Sequence, residues 1–108
     1  MGRVIVTRWM RKGYCLNLFG LYFTRDASWI DRFVINHERI HDAQQRELLY
    51  LPFYLLYIIE WLFRLLQYRN QQMAYENISF EREAYARGHD LGYLSRRRRF
   101  AWIHYLRK

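Results

Sequence analysis

Apolar and polar positions alternate near the start of the chain, and a helical period replaces this alternation after about residue 26. The stretch GRVIVTRW alternates and is rich in β-branched residues, whereas YCLNLFGLYFTR consists of two short apolar runs that meet at Gly20. Such runs predict two or three strands within residues 3–25. Because helical patterns follow, we expect an α+β fold, in which a small N-terminal antiparallel β-sheet precedes three or four helices.

The first periodic apolar segment follows RDAS, which breaks the strand pattern. Ser28 and Asp31 have the spacing of a capping box, in which two side chains bond free backbone N–H groups at a helix start. We therefore expect the first helix to begin at Trp29 and to end near Leu49. Pro52 would disturb a helix interior but suits the first turn of a new helix, so a second helix should follow at once.

Two further helices are expected after a polar connection, NQQMAYEN. Ser79 is suited to cap the third helix, and Gly88 is suited to end it because glycine readily adopts the left-handed conformation found after many helices. Apolar residues at helical spacing then predict a last helix in SRRRRFAWIHYLRK. The expected ranges of these later helices are 52–69, 79–88 and 95–108.

Length and composition predict one domain spanning residues 1–108. The chain is 52% hydrophobic and 19% aromatic, which excludes a disordered protein because enough apolar surface is present to offset the entropy of ordering. Cys15 is the one cysteine, so an internal disulfide and a cysteine-based zinc knuckle are both excluded. Any metal must therefore be bound by histidine and carboxylate side chains.

The net charge of +8 comes almost entirely from arginine. It favours anionic partners such as nucleic acid or acidic lipid headgroups, although a solvated cationic surface explains it equally well. The run RRRR at 96–99 has no nucleic-acid-binding motif around it, so we do not expect nucleic acid as a partner. The start of the chain lacks the apolar run of a signal peptide, and we expect a cytoplasmic protein.

Residues 48–66 are as long as a membrane span but contain Pro52, Glu60 and Arg64. Charges at the centre of a span each cost about 2.5–3.5 kcal/mol, so a buried helix of a globular domain is favoured. Tyrosine, tryptophan and flanking arginine residues leave open a peripheral association with the inner face of the membrane.

Two histidines and a glutamate in FVINHERIHDAQQREL carry the main chemical signal. On a helix, His37 and His41 lie one turn apart on the same stripe, and Glu38 lies on its flank. Two imidazoles so placed can share one zinc ion, and the glutamate can act as general base on a water beside it. The alternative is a pair of ordinary core histidines. The opposite face carries arginines at a seven-residue spacing: Arg32, Arg39 and Arg46.

A third ligand is expected from SFEREAYARG. Glu81 shares a helix face with Ala84 and Gly88, whose small size would allow close approach to the first helix, whereas Glu83 points about 160° away. Catalytic zinc sites usually combine three protein ligands with water, which favours Glu81 as the missing ligand. The alternative is that Glu81 only complements the positive end of its own helix.

The motif HERIH followed by SFEREAYA about 40 residues later resembles the gluzincin class of zinc metallopeptidases, and the size resembles that of the minigluzincins. The resemblance implies a minimal zincin-like domain that hydrolyses peptide bonds. It implies Zn²⁺ as cofactor, His37, His41 and Glu81 as ligands, and Glu38 as general base. It also implies that substrate pairs with an edge strand, for which GLYFT is the candidate.

Two positions depart from that class. Tyr85 stands where the second motif usually has an aspartate that orients a histidine ligand, and no side chain is marked as the one that stabilises the oxyanion. Tyr75, Tyr85 and His89 are candidates for these roles, as is His104. A catalytically inactive zincin-fold protein that binds a membrane surface or another protein therefore remains an alternative. A further hypothesis is that the last helix docks across the metal cleft and holds the enzyme latent.

Overall fold

The computed structural model describes residues 3–10 and 13–106 and has an α+β fold, as predicted. Three strands form one sheet, with β1 at Arg3–Val6, β2 at Cys15–Leu18 and β3 at Leu21–Thr24. The helices that follow are α1 at Arg32–Glu47, α2 at Leu51–Tyr68, α3 at Gln71–Glu76, α4 at Ser79–Arg87 and α5 at Tyr93–Arg96. Short 3₁₀ helices lie at Ala27–Trp29 and Ala101–Tyr105.

The sheet is mixed, so the prediction of an antiparallel sheet is correct for only one of its two pairings. β2 and β3 form an antiparallel hairpin, and the turn between them places Phe19 and Gly20 at positive φ. β1 instead pairs parallel with β3, which gives the strand order β1-β3-β2. The alternating pattern of β1 identifies a strand but carries no information about the strand beside which it docks.

Helix α1 begins later than predicted because Asp31 is itself the cap. Its carboxylate accepts hydrogen bonds from the backbone N–H groups of Phe33 and Val34, at 3.0 and 2.9 Å. Ser28 and Trp29 belong to the preceding 3₁₀ turn. Pro52 lies in the first turn of α2, as predicted, and Leu49 and Tyr50 at positive φ make the break between the two helices.

The later part of the chain departs from prediction in three places. The expected connection 70–77 contains α3, which Asn70 caps through its side chain. Gly88 ends α4 at φ −61° and does not adopt the left-handed conformation. The helix expected over 95–108 is interrupted at Phe100, which has φ 59°, and residues 107 and 108 lie outside the described residues.

Helix α1 is buried on two sides, against the sheet and against α4. Towards the sheet, the carboxylate of Asp42 accepts hydrogen bonds from the Tyr22 hydroxyl and the Asn17 amide. Towards α4, Ile40 packs with Ala84 and Tyr93. A second apolar cluster joins α2 to α4 through Phe53, Ile78, Phe80 and their neighbours Tyr57, Trp61 and Trp102.

By length and composition, none of the described helices would cross a membrane alone. The α1–α2 pair passes such a test when taken together, with a bend of 112° between the two helices.

Candidate metal centre

The three predicted ligands converge between α1 and α4. The Nε2 atoms of His37 and His41 lie 3.5 and 3.2 Å from the same oxygen of Glu81, Oε1. One ligand atom from each of the three side chains lies within 4.8 Å of the others. Glu81 and His41 are buried, and His37 is partly buried, so the cluster lies below the surface.

The two distances to Glu81 are close to the spacing of ligand atoms around a zinc ion. Ligand atoms bound at about 2.0–2.2 Å in a tetrahedron lie about 3.3–3.6 Å from one another. The distances of 3.2 and 3.5 Å from Glu81 Oε1 to the two imidazoles are close to this separation. Two imidazoles and one carboxylate are also a donor set that catalytic zinc sites use.

The charges of the cluster are strongly coupled. Burial alone would raise the pKa of Glu81, but the charge and hydrogen bond of His41, with a contribution from His37, hold it well below its usual range. Burial alone would lower the pKa of His41, but Glu81 raises it to about 10. Burial dominates at His37 and lowers its pKa. In the metal-free protein Glu81 and His41 therefore form a buried ion pair, and a metal would take the place of the shared proton.

Glu38 lies buried beside the three candidate ligands, within reach of the charges of His41, Glu81 and Asp42. Its side chain is buried, and its Oε1 atom has no hydrogen-bond partner among residues 3–10 and 13–106. Burial raises the pKa of Glu38 to about 7. The thiol of Cys15 in β2 forms a hydrogen bond with the same carboxylate. Burial, with a smaller contribution from the charge of Glu38, raises the pKa of this thiol to about 12. A carboxyl group whose pKa is near 7, and whose buried oxygen has no hydrogen-bond partner, is suited to act as a general base.

Gln44 orients His41. In the gluzincin class an aspartate has such a role, and Tyr85 stands at its position in this chain. The Oε1 atom of Gln44 lies 2.8 Å from His41 Nδ1, and its amide donates to Phe80 O and Glu83 Oε1, at 3.0 and 2.9 Å. Glu83 is held in turn by Tyr93 and by Arg97, which also binds Glu47. The helical spacing of Glu83 relative to Glu81 gave no indication of this buried network.

The other two ligands have partners of their own. Tyr57 of α2 donates a hydrogen bond of 2.5 Å to the second carboxylate oxygen of Glu81. The backbone carbonyl of Ala84 is bonded to the His37 ring, and the Tyr85 ring packs edge-on against it at 4.8 Å between centroids. Tyr57 was missed because its position on an apolar helix carries no signal for a metal site.

Two cavities meet at Glu38. A cavity of about 140 Å³ lies between β2 and α2 and is bounded by His41, Glu81 and Tyr57. A more open groove of about 510 Å³ lies on the other side, next to His37. Tyr75 borders both cavities, whereas Tyr85 and His89 border only the groove. Of the candidates for oxyanion stabilisation, Tyr75 is therefore the best placed, and His104 borders neither space.

Two expectations about this cleft are wrong. The strand GLYFT forms β3 and is central in the sheet, and β2 is the edge strand that borders both cavities. The described C-terminal residues 95–106 line neither cavity. They pack instead on the far side of α4, where Trp102 contacts Phe80 at 4.7 Å and Arg82 binds the carbonyl of Tyr105. The apolar face of that helix, and not the metal cleft, is what their aromatic side chains cover.

No protein-family model, no curated protein and no solved structure matches this chain.

Proposed function

We propose that this protein is a zinc-dependent metallopeptidase. The observation that carries the proposal is the buried, unpaired Oε1 atom of Glu38 beside three converging ligands. A structural histidine cluster needs no such carboxylate, since an unpaired buried polar group is destabilising.

Each side chain has a distinct role in this proposal. His37, His41 and Glu81 would hold zinc, which when bound polarises a water molecule and the substrate carbonyl. Glu38 takes the proton of the attacking water at Oε1 and passes it to the nitrogen of the leaving amine. Because its pKa is about 7, both protonation states are accessible at neutral pH. Gln44 keeps His41 in the required tautomer by accepting its Nδ1 proton.

A peptide is the substrate that best suits the surroundings. Strand β2 pairs on one side with β3, and no other described strand pairs with it. An extended peptide can add to such an edge through backbone hydrogen bonds, which give affinity without demanding a particular sequence. Tyr75 borders both cavities, and we assign it as the donor to the carbonyl oxygen of a peptide bond held there.

The replacement Glu38→Gln tests the proposal. We expect the wild-type protein to bind about one zinc per chain and to cleave a quenched-fluorescence library of unstructured peptides. The variant should retain zinc and lose at least about 100-fold in activity, because a general base contributes about 10²–10⁴-fold. Metal analysis and peptide cleavage assays provide the two measurements.

Two results would contradict this function. Less than about 0.1 zinc per chain, not restored by added zinc at neutral pH, would remove the metal site. Undiminished cleavage by the Glu38→Gln variant would remove the general base, and the activity would then have to come from a contaminating protease.

A further inference from the structure

The outward face of α2 is apolar along its whole length and has no partner among the described residues. Eight large side chains on it are between 40% and 79% exposed: Leu51, Leu55, Leu56, Ile58, Ile59, Leu62, Phe63 and Leu66. Single exposed apolar residues are ordinary, but a continuous apolar face marks an interaction site. We call these eight residues the α2 face.

The two charged residues of α2 lie on its inner side. Glu60 accepts hydrogen bonds from the backbone N–H and hydroxyl of Ser79, and it pairs with Arg64. Arg64 is buried and donates to the backbone carbonyl of Leu106. Both charged side chains of α2 therefore form their hydrogen bonds and ion pair inside the domain. The α2 face itself carries no charge.

The apolar surface continues beyond the helix. Phe19, at the tip of the β2–β3 turn, is 57% exposed and stacks on Tyr50 at 5.4 Å between centroids. Leu49, at the start of α2, is 78% exposed. Together with the α2 face, which is about 27 Å long for 18 residues, these side chains form one extended apolar surface.

The rest of the surface is cationic because most acidic residues are used internally. Three acidic residues are exposed; Asp26 and Asp31 accept backbone N–H groups at the start of a helix, and Glu76 accepts a hydrogen bond from Gln72. The other described acidic residues are buried or partly buried. The described exposed arginines are Arg3, Arg8, Arg25, Arg32, Arg39, Arg46, Arg69, Arg87, Arg96, Arg98 and Arg99.

We propose that the α2 face docks the protein on an anionic lipid bilayer, with α2 lying in the plane of the interface. The apolar side chains enter the boundary between headgroups and acyl chains, and arginines such as Arg46 and Arg69, beyond the two ends of α2, contact acidic headgroups. This inference does not depend on the metal centre.

A bilayer suits this surface better than a second copy of the chain. Two copies, each carrying a net charge of +8, would repel each other, whereas anionic lipid attracts that charge. Protein interfaces also combine an apolar centre with polar groups that make about ten hydrogen bonds. The α2 face offers no polar side chain for such bonds.

Docking in this way would bring lipid close to the cavity at Glu38. Phe53, Tyr54 and Tyr57 on the inner side of α2 line that cavity. The cavity therefore lies about one helix diameter, about 10 Å, from the α2 face.

Vesicle flotation with the purified full chain tests the proposal. The probes are vesicles of phosphatidylcholine alone and of an equal mixture of phosphatidylcholine and phosphatidylglycerol. We expect binding to the mixed vesicles, weaker binding to the neutral ones, and loss of binding as salt screens the charge. The double variant Leu55→Gln/Leu62→Gln should bind at least tenfold more weakly because it removes two inserting side chains.

The matched control is Val6→Gln/Leu91→Gln, which makes the same kind of change at 60% and 49% exposure, compared with 63% and 49% for Leu55 and Leu62. It should bind vesicles like the wild type. Far-UV circular dichroism should show native helix content for both variants, since all four side chains lie at the surface. If Leu55→Gln/Leu62→Gln unfolds the chain, the single Leu66→Gln variant, at 79% exposure, replaces it.

Three results would overturn the proposal. These are absence of wild-type binding to the mixed vesicles, equal binding by the α2-face variant and the control, and equal binding of the wild type to neutral and anionic vesicles. A dimer in sedimentation experiments that Leu55→Gln/Leu62→Gln abolishes, without any vesicle binding, would assign the face to a second copy instead.

Discussion

At the scale of single residues, Gln44 links the candidate metal centre to the buried charges around it. It is fully buried and contacts His41 on one side and Glu83 on the other. Replacing a group that orients a metal ligand typically lowers metal affinity about 10–100-fold. The position of Gln44 therefore bears directly on metal binding.

We predict that Gln44→Leu weakens zinc binding about 10–100-fold, because His41 loses the acceptor that orients its ring. Titration with a competing zinc indicator measures this change. Gln45→Leu is a matched control, since Gln45 is equally buried on the same helix but bonds Phe19 and Tyr54. Both variants lose buried hydrogen bonds and should be less stable, so an equal loss of zinc affinity would show that the His41 contact is unimportant.

At the scale of elements, the site depends on how closely α1 and α4 approach. The sequence analysis predicted that Ala84 and Gly88 would allow this approach, and both residues are buried at the contact. A Cβ atom on Gly88 would lie 2.7 Å from the carbonyl oxygen of Ala84 and 3.4 Å from Cβ of His37. Glycine is required here for space and not for its backbone conformation, since φ is −61°.

We predict that Gly88→Ala destabilises the protein by about 1–3 kcal/mol, as overpacking usually does, and weakens zinc binding by displacing His37 from Glu81. Thermal unfolding and zinc titration measure the two effects. Gly92→Ala is the control, because its added Cβ would meet only the ends of two side chains, Arg96 at 3.0 Å and Asp90 at 3.7 Å. Wild-type zinc affinity in Gly88→Ala would mean that the two helices separate without moving the ligands.

At the scale of the whole molecule, one charge network joins α1, α4 and the C-terminal segment. Arg97 binds the carboxylates of both Glu47 and Glu83, and Glu47 also accepts the backbone N–H of Phe100. Burial alone would raise the pKa of Glu83, but bonds from Arg97, Tyr93 and Gln44 lower it. This network fastens the C-terminal residues to the helices that carry the site.

The lowered pKa predicts acid sensitivity. Ionised Glu83 stabilises the fold above its unfolded pKa of about 4.5, and this contribution is lost as pH falls through the lower folded pKa. Glu83→Gln should cost about 1–3 kcal/mol at pH 7, since Arg97 keeps Glu47 but loses one of its two carboxylate partners. It should also flatten the decline of unfolding free energy below about pH 4.5, measured by denaturant titration with a chelator present. Glu76→Gln, which lies outside the network, is the control. If the unfolding free energy of Glu83→Gln falls with pH as steeply as that of the wild type, Glu83 is not the group responsible for the acid sensitivity.

The sequence by itself determined features that depend on residues close together along the chain. The spacing of His37 and His41 places both on one side of any helix that contains them, since four residues make about one turn. Pro52 lies in the first turn of α2 for an equally local reason, its fixed φ and missing N–H. The α+β order of elements follows from the change of period after residue 26.

Tertiary structure alone decided which segments meet. The helical period of α1 predicts one buried face, but α1 packs between the sheet and α4. Polar residues such as Asp42 and Gln44 are therefore buried, where a single apolar stripe predicts exposure or apolar packing. β3 is the central strand because β1 also pairs with it. Glu83 is buried in an ion pair with Arg97, which lies 14 residues further along the chain. These pairings depend on contacts between segments that are distant in the chain, which no local sequence pattern reveals. They bring Glu81 beside the two histidines of α1.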